Sequence, residues 1–154
     1  MNPGLPVVGF DLDMTLVWAR VGHPEQFDDP LIMERVTFPR YDAIRQLQRA
    51  ACVPVIITAR TERVRYVTEK HVRRFTGLRD LVVHMQEEWR GRDAIAPWKA
   101  ERIELAGCHA YVGDQTEDKE AARLAGVPFL HADRFARWGL SPLLPLLEAQ
   151  EVVA

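Results

Sequence analysis

The chain has 154 residues, enough for one domain with a substantial core and too few for two. With 47% hydrophobic and 27% charged residues, it has the composition of an ordinary soluble globule. A net charge of −2 provides no general basic field to recruit nucleic acid, although it leaves room for a small local patch.

The opening residues, Met1-Asn2-Pro3-Gly4-Leu5-Pro6, lack the charged start and apolar core of a secretion signal. No apolar run approaches the length needed to span a membrane, so no membrane partner and a cytoplasmic location are expected. The isolated Cys52 and Cys108 sit in or beside apolar segments and read as buried thiols, not as a disulfide or a zinc site. The five histidines show no metal-ligand spacing.

The first strand is the apolar run Val7 to Phe10, which leads into Asp11, Asp13 and Thr15. Residues 17–39 carry Gly22, Pro24, Pro30 and Pro39 and read as a long loop with a short hairpin or helical turn; so long a connection in a small domain is usually functional. A helix is expected over 41–51, a β-branched strand over 53–57, and a basic helix over 61–75 ended by Gly77. There follow a strand at 81–84, a polar loop at 86–93, a helix over 94–105 starting near Pro97, and a strand at 110–112. A helix at 117–125, a strand at 128–130 and a C-terminal helix at 143–150 complete the chain, with Trp138 and the Leu-rich tail read as core cover or a dimer face. Strands alternating with helices predict an α/β fold: a three-layer, Rossmann-like arrangement with a mainly parallel sheet of about five strands and helices on both faces.

In such sheets ligands bind at the carboxyl ends of the strands, near the switch in strand order. The polar residues at those ends form one chemical set. Asp11, Asp13 and Thr15 follow the first strand, and Thr58, Ala59 and Arg60 the second; Gly113, Asp114 and Asp118 follow the fourth, with Lys99 on the first turn of the helix leading to it. Two carboxylates one residue apart repel unless a cation lies between them or they divide nucleophile and acid roles.

This Asp-x-Asp-x-Thr opening, a Thr after the second strand, a Lys and a Gly-Asp-x-x-x-Asp resemble the four motifs of the haloacid dehalogenase-like (HAD) phosphohydrolases, over roughly residues 7–131. The resemblance implies a single HAD-like phosphatase domain over 1–154 and an Mg²⁺-dependent phosphomonoester hydrolase. Asp11 would be the nucleophile that forms an aspartyl-phosphate, and Asp13 the general acid and then base. Thr58 would hydrogen-bond a phosphoryl oxygen, and Lys99 would place positive charge against the phosphoryl group and Asp11, with Lys119 as its nearest competitor in sequence. Mg²⁺ would be held by Asp11, the backbone carbonyl of Asp13 and Asp114, with Asp118 as ligand or as anchor of its waters.

Met14 stands where many family members carry Gly. Residues 17–39 are too short for a large helical cap, so a capless or minimally flapped member with an open site is implied, as a monomer or homodimer. An open site favours a large substrate. Thr58-Ala59-Arg60, the basic helix after it, and Gln86 to Asp93 followed by Trp98-Lys99 look similar to the phosphatase half of polynucleotide kinase-phosphatases. On that likeness Thr15, Ala59, Arg60, Arg90 and Arg92 become substrate-binding candidates, the arginines pairing with backbone phosphates and Trp18 or Trp89 stacking on a base. The implied substrate is a nucleotide or nucleic-acid 3′-phosphate. The alternatives are a small-metabolite phosphatase, a phosphotransferase, a dehalogenase of the same superfamily, and a non-catalytic phosphate-binding or interaction module.

Overall fold

The computed structural model describes the backbone of residues 4–153 and the side chains of residues 4–150. Residues 1–3, part of the opening segment read for a secretion signal, and residue 154 lie outside them. No helix among the described residues is long and apolar enough to cross a membrane.

The central strand β1 is Val7–Phe10. Residues 17–39 then fold into a flap: strands β2 (Val17–Ala19) and β3 (Thr37–Pro39) pair antiparallel and enclose a 3-10 turn at Pro24–Asp28 and helix α1, Pro30–Val36. Asp29 starts α1 by accepting the N–H groups of Leu31 and Ile32 at 2.9 and 3.3 Å, and Pro30 supplies the preset first residue.

Five crossover elements follow as the period predicts: α2 (Tyr41–Arg49), β4 (Val53–Thr61), α3 (Arg65–Thr76), β5 (Val82–Gln86) and α4 (Ile95–Leu105). The chain then runs through β6 (Ala110–Gly113), α5 (Thr116–Ala125), β7 (Phe129–His131), α6 (Ala132–Trp138) and α7 (Leu144–Val153). Two elements differ from expectation. Strand β4 runs four residues further than its β-branched stretch, through Arg60, and α6 follows β7 with no intervening turn residues. Lys99 therefore lies in the second turn of its helix, which begins at Ile95.

The main sheet has the order β5-β4-β1-β6-β7, with every pairing parallel. Its strand order reverses at β1, so the crevice outside the carboxyl ends of β1 and β6 is the place where the fold itself favours a ligand. Alternation divides the core into two layers. Val8 and Phe10 join Ile56, Val112 and the apolar faces of α2, α3 and α6, where Phe135 meets Phe10 edge-on at 5.0 Å. Val55, Ile57 and Tyr111 face Ala100, Ile103, Ala121 and Ala122 of α4 and α5. In the C-terminal segment Leu143 and Leu147 are core, while Trp138, Leu144 and Leu146 are exposed.

The second layer closes only because residue 9 is glycine: a Cβ there would lie 2.8 Å from the Tyr111 ring. Gly9→Ala should therefore destabilise the protein by about 2 kcal/mol, through overpacking in a core that cannot give way. Chemical denaturation measures this, and an unchanged midpoint would show that Tyr111 moves freely.

Candidate active site

The carboxyl ends of β1, β6 and the start of α5 bring three carboxylates together. One oxygen from each of Asp11, Asp114 and Asp118 lies within 4.8 Å of the others. This is the one metal-capable group of His, Cys, Asp and Glu among the described residues. Lys99 reaches into the same space from α4. Its Nζ donates to Asp11 Oδ1 at 2.8 Å and to Asp118 Oδ1 at 2.6 Å, with all three side chains buried. Lys119, its competitor in sequence, is exposed on α5.

Asp118 is held on every side. Its Oδ2 accepts the backbone N–H groups of Asp114 and Gln115 at 3.1 and 3.0 Å, and the Tyr111 hydroxyl lies 3.4 Å from its Oδ1. The carboxylate can fold back that far because Gly113 has no side chain; a Cβ there would lie 2.5 Å from Asp118 Cβ. Both oxygens being engaged, Asp118 fixes Lys99 and the loop after β6. Asp114 differs: Gln115 donates to its Oδ2 at 2.8 Å, whereas its Oδ1 is buried without a partner.

The electrostatics follow from this crowding. Burial pushes the Asp11 carboxyl well above the usual carboxylate range, Asp118 adds to the shift, and Lys99 opposes it. Burial also raises Asp114. Burial works against the charge on Lys99, yet Asp11 and Asp118 hold its ammonium well above the ordinary lysine range. Three carboxylates against one ammonium leave negative charge uncompensated at a buried place. Hard oxygen donors with one orphaned buried oxygen could hold a metal ion.

Asp13 is not in this cluster. Its carboxylate turns to Arg60, whose Nε donates at 3.0 and 3.2 Å and whose Nη2 donates at 2.7 Å. The same guanidinium donates to Thr68 Oγ1 on α3 at 3.1 Å and to Thr37 Oγ1 in the flap at 3.2 Å. Its side chain is fully buried, so the expectation that Arg60 pairs with substrate phosphates is corrected: its donors are spent inside the protein. The cause is the length of β4. The strand continues through Arg60, and a register irregularity between Thr58 and Thr61 accompanies the arginine's inward turn.

Thr58 lies wholly below the surface and its Oγ1 accepts the Arg60 N–H at 3.2 Å. Ala59 is half-buried beside it, and the Thr15 hydroxyl is buried with no partner. Arg90 and Arg92 are exposed; the first stands 3.7 Å from Glu88, the second is paired with Glu117. Met14 adopts φ 63°, the left-handed region where glycine costs nothing, and its backbone N–H and C=O bond to Val17 and Arg40. The side chain at that position therefore accompanies a strained turn.

Sequence reasoning missed Tyr111, Thr37, Thr68 and Arg40. Tyr111 sits in an apolar strand where nothing marks its hydroxyl, which reaches Ile57 O at 3.1 Å. The thiols match their reading, since burial pushes Cys52 up to about 12 and Cys108 to about 11.

No protein-family model matches the chain, and no curated protein is significantly similar to it in sequence. Its fold is similar to that of solved structures. Two come from the Pnkp1/Rnl/Hen1 RNA repair complex, with TM-scores of 0.62 and 0.60 at 16% and 15% identity, each covering 84% of this chain. This chain spans 43% and 47% of those two chains, less than half of either. A third is an uncharacterized protein from Listeria monocytogenes serotype 4b, with a TM-score of 0.56 at 16% identity, covering 82% of this chain and 78% of that one. At such identities the likeness is one of fold.

Arg60→Ala leaves Asp13 without its partner and should cost about 3 kcal/mol of stability, the low end for a broken buried pair because Asp13 keeps some solvent. If the phosphatase expectation of the sequence holds, it should also slow an aryl phosphate and a 3′-phosphorylated oligonucleotide by similar factors. A loss confined to the oligonucleotide would return Arg60 to the substrate.

Proposed function

We propose that the chain is a HAD-type, Mg²⁺-dependent phosphomonoesterase that works through an aspartyl-phosphate on Asp11. The observation that carries this reading is Lys99 Nζ between Asp11 and Asp118, inside a group of three close carboxylates at the strand-order switch. A structural role alone gives no reason to bury two carboxylates on one lysine with a third, half-buried, beside them.

Asp11 attacks phosphorus in line with the leaving oxygen, so the Asp11 Oδ–P bond forms as the ester P–O bond breaks. Asp13 gives its proton to the departing alkoxide. It then takes a proton from the water that attacks the acyl phosphate, releasing inorganic phosphate and restoring Asp11. Arg60, with Thr37 and Thr68, fixes the direction of the Asp13 carboxyl for both transfers. Lys99 orients Asp11 and neutralises part of the charge it meets on approach. Asp11 and Asp114, through its unpartnered Oδ1, would hold the cation, with the Asp13 carbonyl as a further donor, while Asp118 anchors the shell behind them. When bound, Mg²⁺ supplies the positive charge that offsets repulsion between the carboxylate and the phosphate.

The flap is small, and among the described residues no large cap lies over the site, which suits phosphate at the end of a long substrate. The nucleotide or nucleic-acid 3′-phosphate is the substrate class we favour, supported by the fold likeness to chains of an RNA repair complex.

The test is phosphate release from a panel holding an aryl phosphate, 3′- and 5′-mononucleotides, sugar phosphates and a 3′-phosphorylated oligonucleotide. Release should require Mg²⁺, stop in EDTA, and fall by at least about a thousandfold in Asp11→Asn, since an amide is a poor nucleophile. Near-normal turnover in that variant would remove the covalent route. Preference for a sugar phosphate would assign the site to a small metabolite.

A further inference from the structure

The flap carries an aromatic surface that the chemistry at Asp11 does not use. Trp18 and Phe38 are direct cross-strand partners, 40% and 56% exposed. Their strand neighbours Val17, Ala19 and Thr37 are buried, so alternation places both rings on the outer face. Both rings are partly open to solvent, whereas the flap's inner face is part of the core.

The indole is held in place from one side. Arg40 Cζ stands 4.7 Å from its ring centre. That guanidinium is itself fixed, donating to Met14 O and to Asp133 Oδ1 at 2.9 Å each and to Asp42 Oδ1 at 3.1 Å. One buried side chain thus touches both the indole and the loop between Asp13 and Thr15, which sets Trp18 one side-chain width from that loop. The acids of the flap are mostly engaged elsewhere: Glu34 with Lys70 at 2.8 Å, Asp28 with Thr61, and Asp29 at the start of α1. Arg20, next to the Trp18–Ala19 edge, and Arg35, at the end of α1, are exposed and form no ion pair among the described residues.

We propose that Trp18 and Phe38 form a stacking platform for an unpaired nucleobase, seating a single-stranded nucleic-acid end whose terminal phosphate enters the site at Asp11. This rests on the phosphomonoesterase reading and names its substrate class. A half-exposed indole braced by a guanidinium, paired across the strands with a phenyl ring and sharing the flap with two unpaired arginines, matches a planar base carried on a phosphate backbone. Stacking of this kind tolerates any base, so sequence preference should be weak.

The experiment compares the wild type with Trp18→Ala, Trp18→Phe and Phe38→Ala. Two readouts are taken: the ratio of kcat/KM for a 3′-phosphorylated oligonucleotide to that for an aryl phosphate, and anisotropy binding of the same oligonucleotide without its phosphate. Trp18→Ala and Phe38→Ala should each lower the ratio about tenfold, through KM, and weaken binding by a similar factor, with Trp18→Phe recovering most of both. Phe38→Ala guards against loss of the Arg40 contact, because Phe38 has no cation against it. A 3′-mononucleotide is run alongside; a fall as large as for the oligonucleotide places the platform under the terminal base, and a smaller one under the next base.

If turnover proceeds while neither ratio nor binding moves, the platform is wrong and the phosphatase stands. If no phosphate is released from any substrate yet binding falls tenfold, the platform stands and the hydrolytic reading fails. A variant that dissociates a dimer without changing oligonucleotide binding would assign the pair to a subunit contact and overturn the proposal.

Discussion

One buried ammonium organises this molecule. Lys99 ties α4 to the end of β1 through Asp11 and to the start of α5 through Asp118, and Asp118 in turn holds the backbone after β6. Remove that charge and two buried carboxylates, Asp11 and Asp118, lose the cation between them, with the half-buried Asp114 close by. The two glycines beside it serve the same end. Gly9 lets Tyr111 lie flat against β1, and Gly113 lets Asp118 fold back over its own loop.

A second charge network lies on the other side of Asp11. Arg60 joins Asp13, α3 and the flap strand β3, while Thr61 meets Asp28 and Lys70 meets Glu34. The flap is therefore tied to the sheet at its base, through the residue that directs Asp13. One guanidinium thus holds both the flap strand and the Asp13 carboxylate. The outer face of the flap, with Trp18 and Phe38, stays free of these ties.

Much of this was legible in the chain itself. Short apolar runs marked β1, β4 and β6, helical apolar spacing marked α2 and α3, and the rule that ligands lie at strand ends singled out Asp11, Lys99 and Asp114, whose side chains lie together. What stayed hidden depended on geometry that no spacing encodes. Arg60 read as a substrate arginine because nothing in Thr58-Ala59-Arg60-Thr61 shows that the strand runs on and turns the guanidinium inward. Helix α6 was missed because it starts at Ala132, directly after β7, with His131 as its cap. Phe135, not Trp138, proved to be the buried anchor of that stretch. The flap was legible only as a loop with a short hairpin or helical turn, because strands of three residues are too short for a periodic signal to fix their pairing.

The central claim is covalent: phosphate passes through Asp11. Substrate is mixed with Mg²⁺ and the Asp13→Asn variant, the reaction is quenched in acid, and the peptide containing Asp11 is weighed by mass spectrometry. The account predicts one added phosphoryl group on that peptide, lost on mild alkaline treatment as an acyl phosphate should be, and absent when EDTA replaces Mg²⁺. Phosphate release with no modified peptide at any quench time, together with turnover retained in Asp11→Asn, would contradict it and direct attention to attack by water itself.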